Sequence, residues 1–170
     1  VVTNGMSNHK RDSGTANSGL LVDVRVSDFD SDDALAGVEF QEKYERLAYK
    51  NGGGRYAFPK TCWADFRDGA PSAKAVIDSL PDFAVESIRE AMPHLGRKLK
   101  GFDDDKAVMK AVETRSSSPV RFFRDENLQG SIKGLYPAGE GAGYAGGITS
   151  AACDGIKVAE KIIEEFCFMA

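Results

Sequence analysis

The chain has 170 residues, 42% of them hydrophobic and 28% charged, a balance that suits a globular protein and excludes a disordered or fibrous one. A net charge of −4 and a pI of about 5.3 point away from nucleic acid or an anionic membrane as partners. The length suits one medium domain, or a small domain with part of another.

In chain order, Val1–Thr3 and Leu20–Val26 read as extended segments around the polar loop "NGMSNHKRDSGTANSG". Its three Gly, three Ser and three Asn favour tight turns. The start in "VVTNGM", with no initiator Met, reads as a cut through a larger protein. After the acidic "SDFDSDDALAG", Phe40, Tyr44, Leu47 and Ala48 give one apolar helix face, ended by Asn51 and three glycines. Residues 52–81 read as irregular or short-stranded. Val85, Ile88, Met92, Leu95 and Leu99 then repeat at helical spacing, and Pro93 predicts two helical pieces rather than one. Arg97, Lys98 and Lys100 read as a solvated helix end.

A short helix is expected around Lys106–Val112, and extended chain through "ETRSSSPVRFF". A turn at "DENLQGS" and a strand at Lys133–Pro137 lead into the glycine stretch. Along the last helix Ile148, Ala152, Gly155, Ala159, Ile162 and Phe166 are expected to line one face.

No apolar run approaches the roughly 18 residues of a membrane span. Three cysteines (Cys62, Cys153 and Cys167) without C-x-x-C spacing point away from a disulfide framework and toward a reducing cytoplasm. Cys153 reads as buried filler. With only His9 and His94 besides, both read as surface or structural, no metal-ligand spacing is present.

The glycine stretch carries the chemistry. In "GLYPAGEGAGYAGG", Gly141, Gly143 and Gly146 spell G-x-G-x-x-G. A dinucleotide fold needs a second strand after the helix, ending in an acid that binds ribose. Residues 147–170 are used up by one helix, and Glu140 would repel a pyrophosphate. A helix N-terminus still favours negative charge, and repeated glycines admit a flat ligand to the backbone. Glu140 can accept hydrogen bonds from sugar-like hydroxyls. The alternative is that the glycines only let a strand and a helix pack closely.

"GLYPAGEGAGYAGGITSAACDGIKVAEKI" resembles the C-terminal flavin motif of the uncharacterised FAD-dependent dehydrogenases, large bacterial flavoproteins with plastid relatives, often labelled NAD-utilising dehydrogenases. "VVTNGMSNHKRDSGTANSGLLV", "LPDFAVESIREAMPHLGRKLKGF" and "VETRSSSPVRF" resemble the same family. The resemblance implies an α+β chain: residues 1–24 contributed to an FAD domain, 25–115 a cap- or substrate-like domain, and 116–170 the C-terminal strand–helix segment of the FAD-binding α/β domain. The pyrophosphate site would lie in an N-terminal half outside this chain. FAD is the implied cofactor, NAD(P)H a possible electron donor, and a small molecule the substrate. By this resemblance Gly139, Glu140, Gly141 and Gly143 approach the cofactor, with Gly139 and Glu140 at the ribityl chain. The usual acid there is Asp, so Glu140 is a departure. Gly146, Gly147 and Ile148 would set the last helix's N-terminus against the pyrimidine edge of the flavin.

Arg115, Ser116 and Ser117, with Met6, Ser7, Asn8 and Arg11, lie in loops able to face flavin or substrate. For Arg115, a two-point clamp on a carboxylate or phosphate and a structural ion pair stay open. Ser116–Ser118 suit a turn or cap, and Tyr144 either covers the ring or packs. No catalytic residue is assigned. The expected function is the C-terminal part of an FAD-dependent oxidoreductase, inactive and weakly flavin-binding by itself; the alternative is a non-catalytic ligand- or partner-binding module.

Overall fold

The computed structural model describes residues 1–6 and 8–167, so Ser7 lies outside the described residues. The fold is α+β, with five α-helices and one two-stranded antiparallel sheet among the described residues. It forms two compact units. One comprises Val1–Phe29 and Phe40–Thr114, the other Asp30–Glu39 and the chain from Arg115 onward.

In the first unit, α1 (Ala36–Asn51, its first turn assigned to the second unit) presents Phe40, Tyr44 and Ala48 at four-residue steps. Ala48 is fully buried and Tyr44 nearly so. The helix stops at Gly52, whose N–H donates to the Ala48 carbonyl (2.9 Å). A Cβ on Gly52 would lie 1.9 Å from the Ala57 carbonyl oxygen, so only glycine fits this return of the chain.

Strand β1 (Lys60–Cys62) pairs with β2 (Val108–Lys110), Thr61 opposite Met109. This corrects the helix expected at Lys106–Val112. Short apolar runs do not distinguish the two states by spacing, and here the backbone groups are taken across the ladder. The pairing extends at both ends: the Trp63 N–H donates to the Ala107 carbonyl (2.9 Å) and the Ala111 N–H to that of Pro59 (3.1 Å). The Thr3 N–H reaches the Val112 carbonyl (2.7 Å), whereas Leu20–Val26 joins no ladder and runs into a 3-10 turn at Val26–Asp28.

Helix α2 (Trp63–Asp68) ends at left-handed Gly69, and α3 (Lys74–Ile77) follows a 3-10 turn at Pro71–Ala73. Helix α4 (Asp82–Lys98) is continuous through Pro93, contrary to the two pieces expected. An interior proline costs about 3 kcal/mol. Pro93 is exposed, while Val85, Ile88 and Met92 of the same helix are buried, and each such side chain contributes about 1.5–3 kcal/mol, so packing outweighs the proline. Trp63, Phe66, Ala73 and Val76 complete the core with Ala111 and Val112.

In the second unit, Asp125 folds the 125–129 turn, its carboxylate accepting the N–H groups of Asn127 (2.9 Å) and Gln129 (3.0 Å). The expected strand at Lys133–Pro137 is instead a turn at 132–135, closed by the Leu135 N–H on the Ile132 carbonyl (3.0 Å), and a tail that joins no ladder. Helix α5 (Ile148–Cys167) forms as expected. Asp154 and Val158 point inward, while Ile148, Ala152, Ala159 and Phe166 are exposed. Cys153 is also exposed, not buried filler. The buried Asp154 carboxylate needs a partner inside the unit.

Among the described residues, no helix is long and apolar enough to cross a membrane. Nor does any cluster of three His, Cys, Asp or Glu side chains suit a metal ion.

Candidate functional site

The glycine stretch of the second unit is a tight loop at the start of α5. The Gly143 N–H donates to the Glu140 carbonyl (2.9 Å) and the Tyr144 N–H to that of Gly139 (3.0 Å). The extended segment 118–124 braces it: the Ser118 hydroxyl donates to the Gly141 carbonyl (3.1 Å), and the Phe122 N–H to that of Ala142 (3.2 Å). The Tyr144 hydroxyl donates back to the Phe122 carbonyl (2.8 Å).

Beneath the loop lies an ion pair that sequence reasoning missed. Arg124 holds Asp154 through two contacts, of 2.6 and 3.0 Å, with both side chains only 10% exposed. Arg124 also donates to the Pro137 carbonyl (3.0 Å), and Asp154 accepts the Gly139 N–H (2.8 Å). The Arg124 guanidinium lies 3.5 Å from the centre of the Tyr144 ring, and that of Arg121 at 4.4 Å. The hydrogen bond from Arg124, with help from the Gly139 N–H, outweighs desolvation and holds the Asp154 carboxyl below its ordinary range. One signal was available in the sequence: an acid among Ala, Ile and Val of an apolar helix implies a buried partner.

The five glycines of 139–147 divide by cause. Gly143 has φ +82°, and a Cβ there would lie 2.6 Å from the Val120 carbonyl oxygen and 2.9 Å from the Arg121 Cα. Gly139 has φ +71°. These two are required by the chain's own backbone. Gly141, Gly146 and Gly147 are not: none has a left-handed φ, and a Cβ would meet nothing closer than 3.8 Å.

The Glu140 side chain is exposed, and its carboxylate makes no hydrogen bond or ion pair among the described residues. The first-turn N–H groups of α5 have no carbonyl four residues back inside the helix, and the Gly147 N–H is capped by the Ser150 hydroxyl (3.1 Å). Ile148 is 93% exposed at this helix start.

The other sequence candidates fall into separate units. In the first, Met6, Asn8 and Arg11 are exposed, and the Met6 carbonyl accepts the Asn17 side-chain amide (2.8 Å). In the second, Arg115 and Ser117 are exposed and Ser116 is half-buried.

Together these features define an α+β chain with a braced glycine loop opening onto a helix N-terminus. The family described as "FAD-dependent protein, C-terminal domain-like" matches residues 1–116, and the chain belongs to it. An uncharacterised protein of Clostridium beijerinckii is 46% identical over 98% of this chain. The match covers 34% of that relative, so the chain spans about a third of its length.

Proposed function

We propose that the chain is the C-terminal part of an FAD-dependent oxidoreductase, and that the glycine loop of its second unit receives the flavin end of the cofactor. The observation that carries this is the group Gly141, Gly146 and Gly147. Glycine costs about 0.5–1 kcal/mol relative to alanine, and at these positions neither backbone conformation nor local packing requires it. The space of the missing side chains is then reserved for a ligand that lies against the backbone.

The surrounding groups fit a flavin. The unengaged Glu140 carboxylate would accept hydrogen bonds from the ribityl hydroxyls. The α5 N-terminus, marked by Gly146, Gly147 and Ile148, would favour negative charge at the pyrimidine edge and so raise the reduction potential. When bound, FAD supplies acceptance and donation of hydride. Arg115 would clamp an acidic group of a small-molecule substrate, and NAD(P)H would be the electron donor, in a cytoplasmic setting.

The exposed apolar side of α5 supports a larger protein around the site. Ile148, Ala152, Ile156, Ala159, Ile163 and Phe166 recur at steps of three and four, all exposed. In this reading they dock on the FAD-binding part of a longer chain, which supplies the pyrophosphate site.

The test is the visible spectrum of the full-length protein. A yellow protein bleached by NAD(P)H is expected; a colourless one overturns the proposal in favour of a non-catalytic binding module. The 170-residue chain alone should retain little FAD, and tight stoichiometric flavin on it would sink the assignment of the pyrophosphate site elsewhere. Gly146→Ala should weaken flavin binding at least about tenfold, equivalent to about 1.4 kcal/mol, without lowering apoprotein stability.

A further inference from the structure

We propose that Arg124 and Asp154 are positioning residues for the flavin-facing loop, setting where Glu140 and the α5 N-terminus stand. The inference rests on the flavin reading above. Its basis is the set of groups that one ion pair ties together. Asp154 projects from the second turn of α5 and accepts the Gly139 N–H, immediately before Glu140. Arg124 grips that same carboxylate with two contacts and the Pro137 carbonyl with a third, so it fixes the chain entering the loop. Its guanidinium also lies over the ring of Tyr144, whose N–H closes the loop on Gly139 and whose hydroxyl ties it to Phe122.

Both ends of the proposed flavin contact are thereby referred to one rigid point. The carboxylate of Glu140 follows Gly139, and the helix start is on the element that carries Asp154. A two-point arginine–carboxylate fork specifies orientation as well as distance, which a single contact does not. Loosening it would displace Glu140 and the helix N-terminus relative to each other while every flavin-facing group stayed present. Such a change reads out in the flavin's affinity and potential.

The experiment uses the full-length protein with FAD as the probe. Asp154→Asn keeps an acceptor for the Gly139 N–H but loses the charge; Arg124→Lys keeps the charge but loses the fork. Both should bind FAD about tenfold more weakly and lower the midpoint potential of the bound flavin, with Lys the milder. Tyr136→Phe is the control, because it breaks the side-chain contacts of Tyr136 with Gln129 and with Glu165 of the last turn of α5, and removes none of the hydrogen bonds of the loop or the ion pair. It should lower the melting temperature and leave the potential unchanged.

Wild-type affinity and potential in both Asp154→Asn and Arg124→Lys overturn the inference. So does a potential shift in Tyr136→Phe as large as theirs, since the pair would then act only through stability. Should Asp154→Asn fail to fold, Arg124→Lys decides by the same two readouts. A colourless wild type overturns the flavin reading and this inference with it, whereas a yellow wild type with unaffected variants overturns this inference alone.

Discussion

The two units are held together by opposite means. The first is organised around large apolar side chains that water does not reach, with Trp63 and Phe66 at 2% and 0% exposure. The second buries Val158 and Ala142 but leaves Phe122, Phe123, Ile132, Leu135 and Ile156 exposed, and its interior is an arginine–carboxylate pair. Area burial is additive and non-directional, so it stabilises the first unit without by itself fixing the orientation of any one group. A bidentate pair is directional, so the second is specified more tightly than it is stabilised. The unit that needs geometric definition is the one that carries the candidate site.

The comparison can be broken by substitution, beginning with the largest effect. Phe66→Ala should cost about 4 kcal/mol, read by denaturant unfolding followed on Trp63, the single tryptophan. Asp154→Ala leaves Arg124 buried without its partner and should cost about 3 kcal/mol, read by faster amide exchange along α5. If Asp154→Ala proved the costlier of the two, the contrast between the units would be reversed. Gly143→Ala should cost about 2 kcal/mol, through its left-handed φ and the approach to Val120. Gly141→Ala, by contrast, should raise apoprotein stability by about 0.5 kcal/mol, since its unfolded chain loses freedom and nothing collides. A loss of stability there would remove the argument that its space is reserved.

Acid offers a finer test. The Asp154 carboxyl titrates below its unfolded value because Arg124 stabilises the charged form, with Lys157 adding to the effect. Its contribution is therefore complete above the ordinary carboxylate range and is lost as pH falls through the folded-state value. Exchange protection of α5 should fall with acid in the wild type, and this component should vanish in Asp154→Asn.

The sequence revealed the long helices well, because Phe40, Tyr44 and Ala48, or Val85, Ile88 and Met92, are spaced as a helix requires. It misjudged elements whose state is decided elsewhere in the chain. Val108–Lys110 becomes a strand because Lys60–Cys62 pairs with it, and the helix persists past Pro93 because Val85, Ile88 and Met92 are buried. The glycine loop was legible as letters, but not the division between glycines the backbone needs and those it does not. Arg124 and Asp154 stand 30 residues apart, so nothing local joins them. That same pair is on the side of α5 facing the unit's interior, while Ile148, Ala152, Ala159 and Phe166 share the outward side.

The outward side of α5 has a consequence for handling the 170-residue chain. A row from Ile148 to Phe166 in contact with water should bind hydrophobic dyes and be retained on phenyl matrices, both effects strengthening as sulfate is added. Sedimentation against concentration thus becomes an assay of one helix face, and Cys153, exposed on the same helix, offers a thiol at which a label can be attached beside it.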